Sequence, residues 1–129
     1  MRKRSSPRKS KNRLRLLNLS KALVQLTASL VKIQVITKGS IYTQTKKCGN
    51  HNCRCARGHL HSMKVLSSSH KGKTRLKSLT KYSVLELSKI EKQVEDYQRF
   101  RQIRAQGSLY YKKFLETVNM LEESITEEI

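Results

Sequence analysis

The stretch Cys48-Gly49-Asn50-His51-Asn52-Cys53-Arg54-Cys55-Ala56-Arg57-Gly58-His59-Leu60-His61 holds all three cysteines and three of the four histidines of a 129-residue chain. Disulfides pair cysteines, so an odd count packed into eight residues argues against a disulfide framework. Four thiolate or imidazole donors on short, turn-rich backbone suit a tetrahedral zinc ion. Cys48, Cys53 and Cys55 supply three of them. The fourth is a histidine, with His61 preferred, then His59, then His51. Gly49 and Gly58 let the chain fold back around the metal. The competing readings are reduced free cysteines without a metal, and a thiolate nucleophile. Lys46, Lys47, Arg54 and Arg57 would lower a thiol pKa, but no Asp or Glu lies within thirty residues to orient a histidine. The zinc is therefore expected to be structural, its binding free energy serving as folding free energy for a region with little core.

On either side of this loop the sequence turns β-prone. Ile41, Thr43 and Thr45 place β-branched residues on one face of a strand. Residues 63–68 read as a second strand, Lys71-Gly72 as a turn and residues 74–79 as a third strand. Residues 39–81 thus form a three-stranded antiparallel sheet with a zinc-knuckle-like loop between its first two strands. So small a sheet needs packing partners.

Those partners are helical. Leu16, Leu19, Leu23, Leu26, Leu30 and Ile33 recur in steps of 3 and 4, an apolar seam on an amphipathic helix over 16–38 that stops at Gly39. In residues 82–129, Leu87, Ile90, Val94 and Tyr97 form one seam, and Tyr111, Phe114, Val118, Leu121 and Ile125 another. Their phases differ, and Gly107 costs about 1 kcal/mol inside a helix, so a kink or break is expected near 107. Residues 1–15, with Arg2, Lys3 and Arg4 at their start, have almost nothing to bury and read as a disordered basic arm. The fold class is α+β, with the sheet flanked by an N-terminal helix and a long kinked C-terminal helical region.

The charge is one-sided. The chain carries 28 Lys+Arg against 9 Asp+Glu, a formal charge of +19, and the first carboxylate is Glu86. An 85-residue stretch without an acid repels itself unless a dense anion neutralises it. Aromatic residues are scarce and Trp is absent, which argues against a large buried cleft and against strong base stacking. Asp96 is the only aspartate, so a multi-carboxylate catalytic metal site has too few ligands, and no enzyme is expected. No apolar run approaches the roughly 20 residues that span a bilayer, and no membrane partner is expected. Function is read as non-catalytic nucleic-acid binding, with DNA favoured over RNA, in the cytoplasm. The expected phosphate contacts are Arg2, Lys3 and Arg4 on the arm, Lys46, Lys47, Arg54 and Arg57 at the loop, and Lys71, Lys73, Arg75 and Lys77 on the hairpin. Side chains at 73, 75 and 77 share one strand face. The alternatives are a small RNA-binding protein and a helical adaptor whose seams bind a protein partner or a second copy in a homodimer.

Cys48-Gly49-x-x-x-Cys53-x-Cys55-Ala56-Arg57-Gly58-x-x-His61, with Gly39-Ser40 before it, Gly72-Lys73-Thr74-Arg75 after it and Val94-x-x-Tyr97-x-x-Phe100 on a helix, resembles an uncharacterised prokaryotic family. That domain of unknown function is built on C-G-x3-C-x-C-A-x-G-x2-H-G-P, and the resemblance covers about residues 39–104. It implies an intact ligand motif with His61 as the fourth donor. Here Ser62-Met63 replaces the Gly-Pro that follows the family's histidine.

Overall fold

A computed structural model describes residues 7–129. In chain order it contains helix α1 (Pro7–Val31), strand β1 (Ser40–Lys46), a short 3-10 turn (Arg54–Arg57), strands β2 (His61–His70) and β3 (Lys73–Ser78), and helix α2 (Val84–Ile125). This is the expected α+β arrangement, a three-stranded antiparallel sheet with a helix before and a helix after it. Two compact units share it. One is Val35–Gln98, and the other joins the described residues up to Gln34 to Arg99–Ile129.

In the unit 35–98, strand order is β1-β2-β3. Two residues, Lys71 and Gly72, connect β2 to β3, and both have positive φ (50° and 78°). Two left-handed central residues make a type I′ turn, whose twist matches that of the strands. The turn sets the register His70↔Lys73 through Val65↔Ser78, and β1 pairs from Ser40↔Ser67 to Lys46↔His61. By this register Ile41, Leu66 and Lys77 lie side by side, so the β-branched face of β1 and the basic face of β3 are the same face of the sheet. Val65, Leu79 and Val94 form the apolar core together with Cys55. Leu79 extends the third strand by one rung, donating its N–H to the Lys64 carbonyl.

Helix α2 starts on a capping box. The Glu86 N–H donates to Ser83 Oγ and the Ser83 N–H to Glu86 Oε2, which satisfies two donors at a helix end and puts a carboxylate on the positive end of the dipole. Its first turns are tied to the chain before β1. The Thr37 hydroxyl bonds Gln93 Oε1, and Gln98 Nε2 donates to the Gly39 carbonyl. Glu91 pairs with Lys64 of β2. Gly39, at φ 136°, is required here, since a Cβ would lie 2.5 Å from the Ser67 carbonyl oxygen and 2.9 Å from Leu66 Cδ1.

In the other unit, α1 meets the later part of α2. The covered seam of α1 runs Asn12, Leu16, Leu19, Leu23, Leu26 and Leu30, in steps of 4 and 3, with Lys9, Ala22 and Ser29 half-buried beside it. The expected seam is therefore real but begins earlier. The helix starts at Pro7 and ends at Val31, not at 16 and 38. Pro suits the first helical position because its missing N–H has no partner there anyway. Of the expected arm, residues 7–15 are thus helical and Arg2, Lys3 and Arg4 lie outside the described residues.

The break expected near 107 is absent, and α2 is one continuous helix. From Phe100 on, its covered seam runs 100, 103, 107, 110, 114, 117, 121 and 124, in unbroken steps of 3 and 4, with Lys113 half-buried beside it. Tyr110, Thr117 and Ser124 take the places expected for Tyr111, Val118 and Ile125. The phase carries through Gly107 because glycine, threonine and serine occupy seam positions. The Thr117 and Ser124 hydroxyls are satisfied by the carbonyls of Lys113 and Leu121, so they enter the interface at little cost.

Candidate metal centre

The β1–β2 ladder ends on the pair Lys46↔His61. Cys48 leaves β1 two residues past that rung, and His61 is the first residue of β2. The sheet thus holds the two ends of the loop together. Inside the loop, the Cys53 N–H donates to the Asn50 carbonyl, and the Asn50 side chain accepts from the Asn52 N–H. These bonds turn the chain back towards Cys48. The 3-10 turn that follows swings Cys55 inward, where it is 1% exposed. Gly58, in the left-handed region at φ 100°, stops the turn with its N–H bonded to the Cys55 and Arg54 carbonyls.

The result is convergence of four donors. Sγ of Cys48, Cys53 and Cys55 and a ring nitrogen of His61 all lie within 4.8 Å of one another. Cys53 Sγ is 3.0 Å from His61 Nε2, and Cys48 Sγ is 3.3 Å from Cys55 Sγ. Donors about 2.3 Å from a central tetrahedral ion stand roughly 3.7 Å apart, so the cluster has the size of a four-coordinate site. His51 and His59 are not part of it. The arrangement is compatible with a metal site of three thiolates and one imidazole.

The thiols are not equivalent. The Asn50 backbone N–H, followed by hydrogen bonds with Cys55 and Cys53, holds the Cys48 thiol below its ordinary pKa. The Cys48 N–H also points at Cys55 Sγ, at 3.2 Å, and pulls that thiol down. Burial, the bonds with Cys48 and Cys53 and the Cys48 charge outweigh it and push Cys55 up. A cation at the centre is what would let all three ionise together.

The expected phosphate contacts are dispersed around this centre and along the hairpin. Lys46 and Lys47 close β1, and Arg54 and Arg57 flank Cys55 on the 3-10 turn. All four are exposed. Lys71, Lys73, Arg75 and Lys77 are exposed on the hairpin. Lys77 has a neighbour that the sequence reading missed. Its ammonium sits 5.7 Å from the centroid of Tyr82, and that of Lys81 sits 5.4 Å from the same ring. A hydrogen bond from Lys77, with the charges of Lys77 and Lys81, lowers the Tyr82 pKa against its partial burial. The Lys81-Tyr82 dipeptide just after β3 was the available signal. Among the described residues no helix is long and apolar enough to cross a membrane.

A family model described as a domain of unknown function (DUF6788) matches residues 11–89. That span takes in nearly all of α1, the sheet, the four converging donors and the first turn of α2. The chain belongs to this family. No curated protein and no solved structure matches the chain.

Proposed function

We propose that this DUF6788 protein is a non-catalytic nucleic-acid-binding module whose loop is clamped by a structural zinc ion, with duplex DNA as the preferred partner. The observation that carries the reading is the coincidence of two facts in one region. Four soft and borderline donors converge, and no carboxylate occurs before Glu86. Three thiolates and an imidazole favour zinc over hard cations such as calcium or magnesium. With four protein ligands no position is left open for substrate or water, which suits a structural role. Thiols kept reduced as ligands fit a reducing cytosol.

The clamp would hold Arg54 and Arg57 on a stiff turn beside Lys46 and Lys47. The type I′ hairpin presents Lys71, Lys73 and Arg75 at its tip, and Arg2, Lys3 and Arg4 would add contacts from the N-terminus. Such contacts track phosphates and carry no base readout by themselves.

The test is fluorescence anisotropy with duplex DNA, single-stranded DNA and RNA over a range of salt, on protein of known zinc content. About six phosphate contacts give a slope of log affinity on log salt near −5. Affinity independent of salt, or no binding to either nucleic acid in dilute buffer, overturns the reading.

A further inference from the structure

We propose that the end of the β2–β3 hairpin is a ribbon that enters the major groove of B-form DNA tip-first. The inference rests on the nucleic-acid reading above and adds which element is inserted, in which groove, and so why the partner is duplex DNA rather than RNA.

The observation is where the sheet stops being three-stranded. Strand β1 pairs with β2 only as far as Ser40↔Ser67. Beyond that rung β2 and β3 continue alone through Ser68↔Arg75, Ser69↔Thr74 and His70↔Lys73 to the type I′ turn at Lys71-Gly72. Residues 69–75 are all exposed. The composition of β2 changes at the same rung. Val65 and Leu66 give way to Ser67-Ser68-Ser69, so the strand keeps its pairing but has no apolar side chain to pack. The root of the ribbon is fixed, with Val65 and Leu79 each 2% exposed in the core. The ribbon is a lever held at one end.

Size selects the groove. Three rungs past Ser67, at about 3.4 Å each, project about 10 Å. The major groove of B-form DNA is about 12 Å wide and about 8.5 Å deep, and it admits a two-stranded ribbon. The minor groove, about 6 Å wide, is too narrow for two backbones already about 4.8 Å apart. The major groove of A-form RNA is too narrow for side chains to read. Serines along β2 keep the ribbon slim.

Chemistry agrees with size. No acid occurs before Glu86, so nothing in the ribbon repels phosphate. Strand alternation puts His70, Lys73 and Arg75 on one face and Ser69 and Thr74 on the other. In a tip-first approach Lys71 and Lys73 reach the floor of the groove, where guanine offers O6 and N7 as acceptors. The hydroxyls of Ser69 and Thr74 donate or accept, which suits either kind of base edge. Arg75, one rung pair farther back, is left for phosphate. Lysines on an exposed edge strand also deter pairing between molecules, but that role needs charge and not reach.

The test separates reach from charge. A labelled mixed-sequence DNA duplex, saturated with the full chain in dilute buffer, is treated with dimethyl sulfate, which methylates guanine N7 in the major groove and adenine N3 in the minor groove. Guanine N7 should be protected and adenine N3 should not. A variant lacking Ser69 and Thr74 keeps every positive charge and the turn but loses one rung of reach. It should bind the duplex about tenfold more weakly, the loss of about one base-edge contact, and leave N7 reactive. Should that variant misfold, read as a changed circular dichroism spectrum, the wild-type footprint decides alone. Reactive N7 in the saturated complex, protection of adenine N3 instead, a shortened variant that binds like the wild type, or an RNA duplex bound as tightly as the DNA overturns this proposal and leaves nucleic-acid binding standing. No binding to DNA at all overturns the nucleic-acid reading itself, and this proposal with it.

Discussion

Withdrawing the metal from the full chain should open the loop between β1 and β2 while leaving the helices formed. The 14 residues 47–60 contain no regular structure beyond the 3-10 turn. Ordering them costs about 1.5 kcal/mol each, or about 21 kcal/mol. Six hydrogen bonds hold the loop internally, contributing about 1 kcal/mol apiece. Burial of Cys55 adds about 2 kcal/mol. The shortfall is about 13 kcal/mol, within the ~10–16 kcal/mol that a structural zinc site supplies near neutral pH.

Three readouts follow. Apo protein should expose three rapidly reacting thiols where the zinc form exposes none. Amide exchange should lose protection over 48–60 and keep it in the middle of α2. Substitution of Cys48, Cys53, Cys55 or His61 should each abolish stoichiometric zinc, whereas His51→Ala and His59→Ala should retain it. Cobalt(II) in place of zinc should give the spectrum of a tetrahedral site with three thiolates and one nitrogen. The reasoning fails if metal-free protein keeps its loop amides protected, or if His59→Ala loses the metal and His61→Ala does not.

Gly39→Ala should destabilise the chain by about 2–4 kcal/mol, since it adds strain at φ 136° to overlap with the Ser67 carbonyl; an unchanged urea midpoint refutes this. Asn12 is 5% exposed and its amide nitrogen has no partner among the described residues. Asn12→Leu should therefore raise stability by about 1–2 kcal/mol, read as a higher melting temperature, and a lower one contradicts it. Tyr82 should titrate below the ordinary tyrosine value in phenolate absorbance and return upward in Lys77→Ala. Because its folded pKa is the lower one, its contribution to stability is present above the unfolded value, near pH 10, and is lost as pH falls through the folded value. Lys77→Ala should therefore leave neutral stability unmoved through this route, and an unshifted titration removes the Lys77 contact.

The parts of the fold legible in the sequence were those set by local rules. Lys71-Gly72 announced its turn because two left-handed residues close a hairpin, and Leu16–Leu30 announced a helix face through their spacing. The donors were legible as residue types. Among His61, His59 and His51 the spacing gave a preference for His61, which the resemblance supported, but no geometric reason for it, because the loop is too long to set the β1–β2 register. The choice is made by the final rung, Lys46↔His61, a long-range pairing that no spacing rule encodes. The helix errors share one cause. Asn12, Gly107, Thr117 and Ser124 sit at covered positions, and a search for apolar periodicity passes over them. Counting Gly107 as a seam position restores the phase from Phe100 to Phe114, and counting Asn12 starts α1 before its first leucine.

The basic residues around the donors have two consequences of opposite sign for any bound anion. A zinc ion held by the three thiolates would carry a net charge of −1 in a part of the chain that has no carboxylate. Arg54 and Arg57, on the turn that delivers Cys55, would then sit near an internal anion as well as near any external one. Their positive charge favours ionised thiolates and so favours the metal. In exchange, a zinc-clamped loop would present one unit less positive charge to phosphate than its arginines and lysines alone suggest. The hairpin tip escapes this compensation. Lys71, Lys73 and Arg75 stand beyond the donors and beyond the Lys64–Glu91 pair, with no carboxylate paired to them among the described residues. If the protein grips a polyphosphate, the tip should dominate affinity and the loop should dominate shape, because only at the loop is positive charge also engaged in holding the fold.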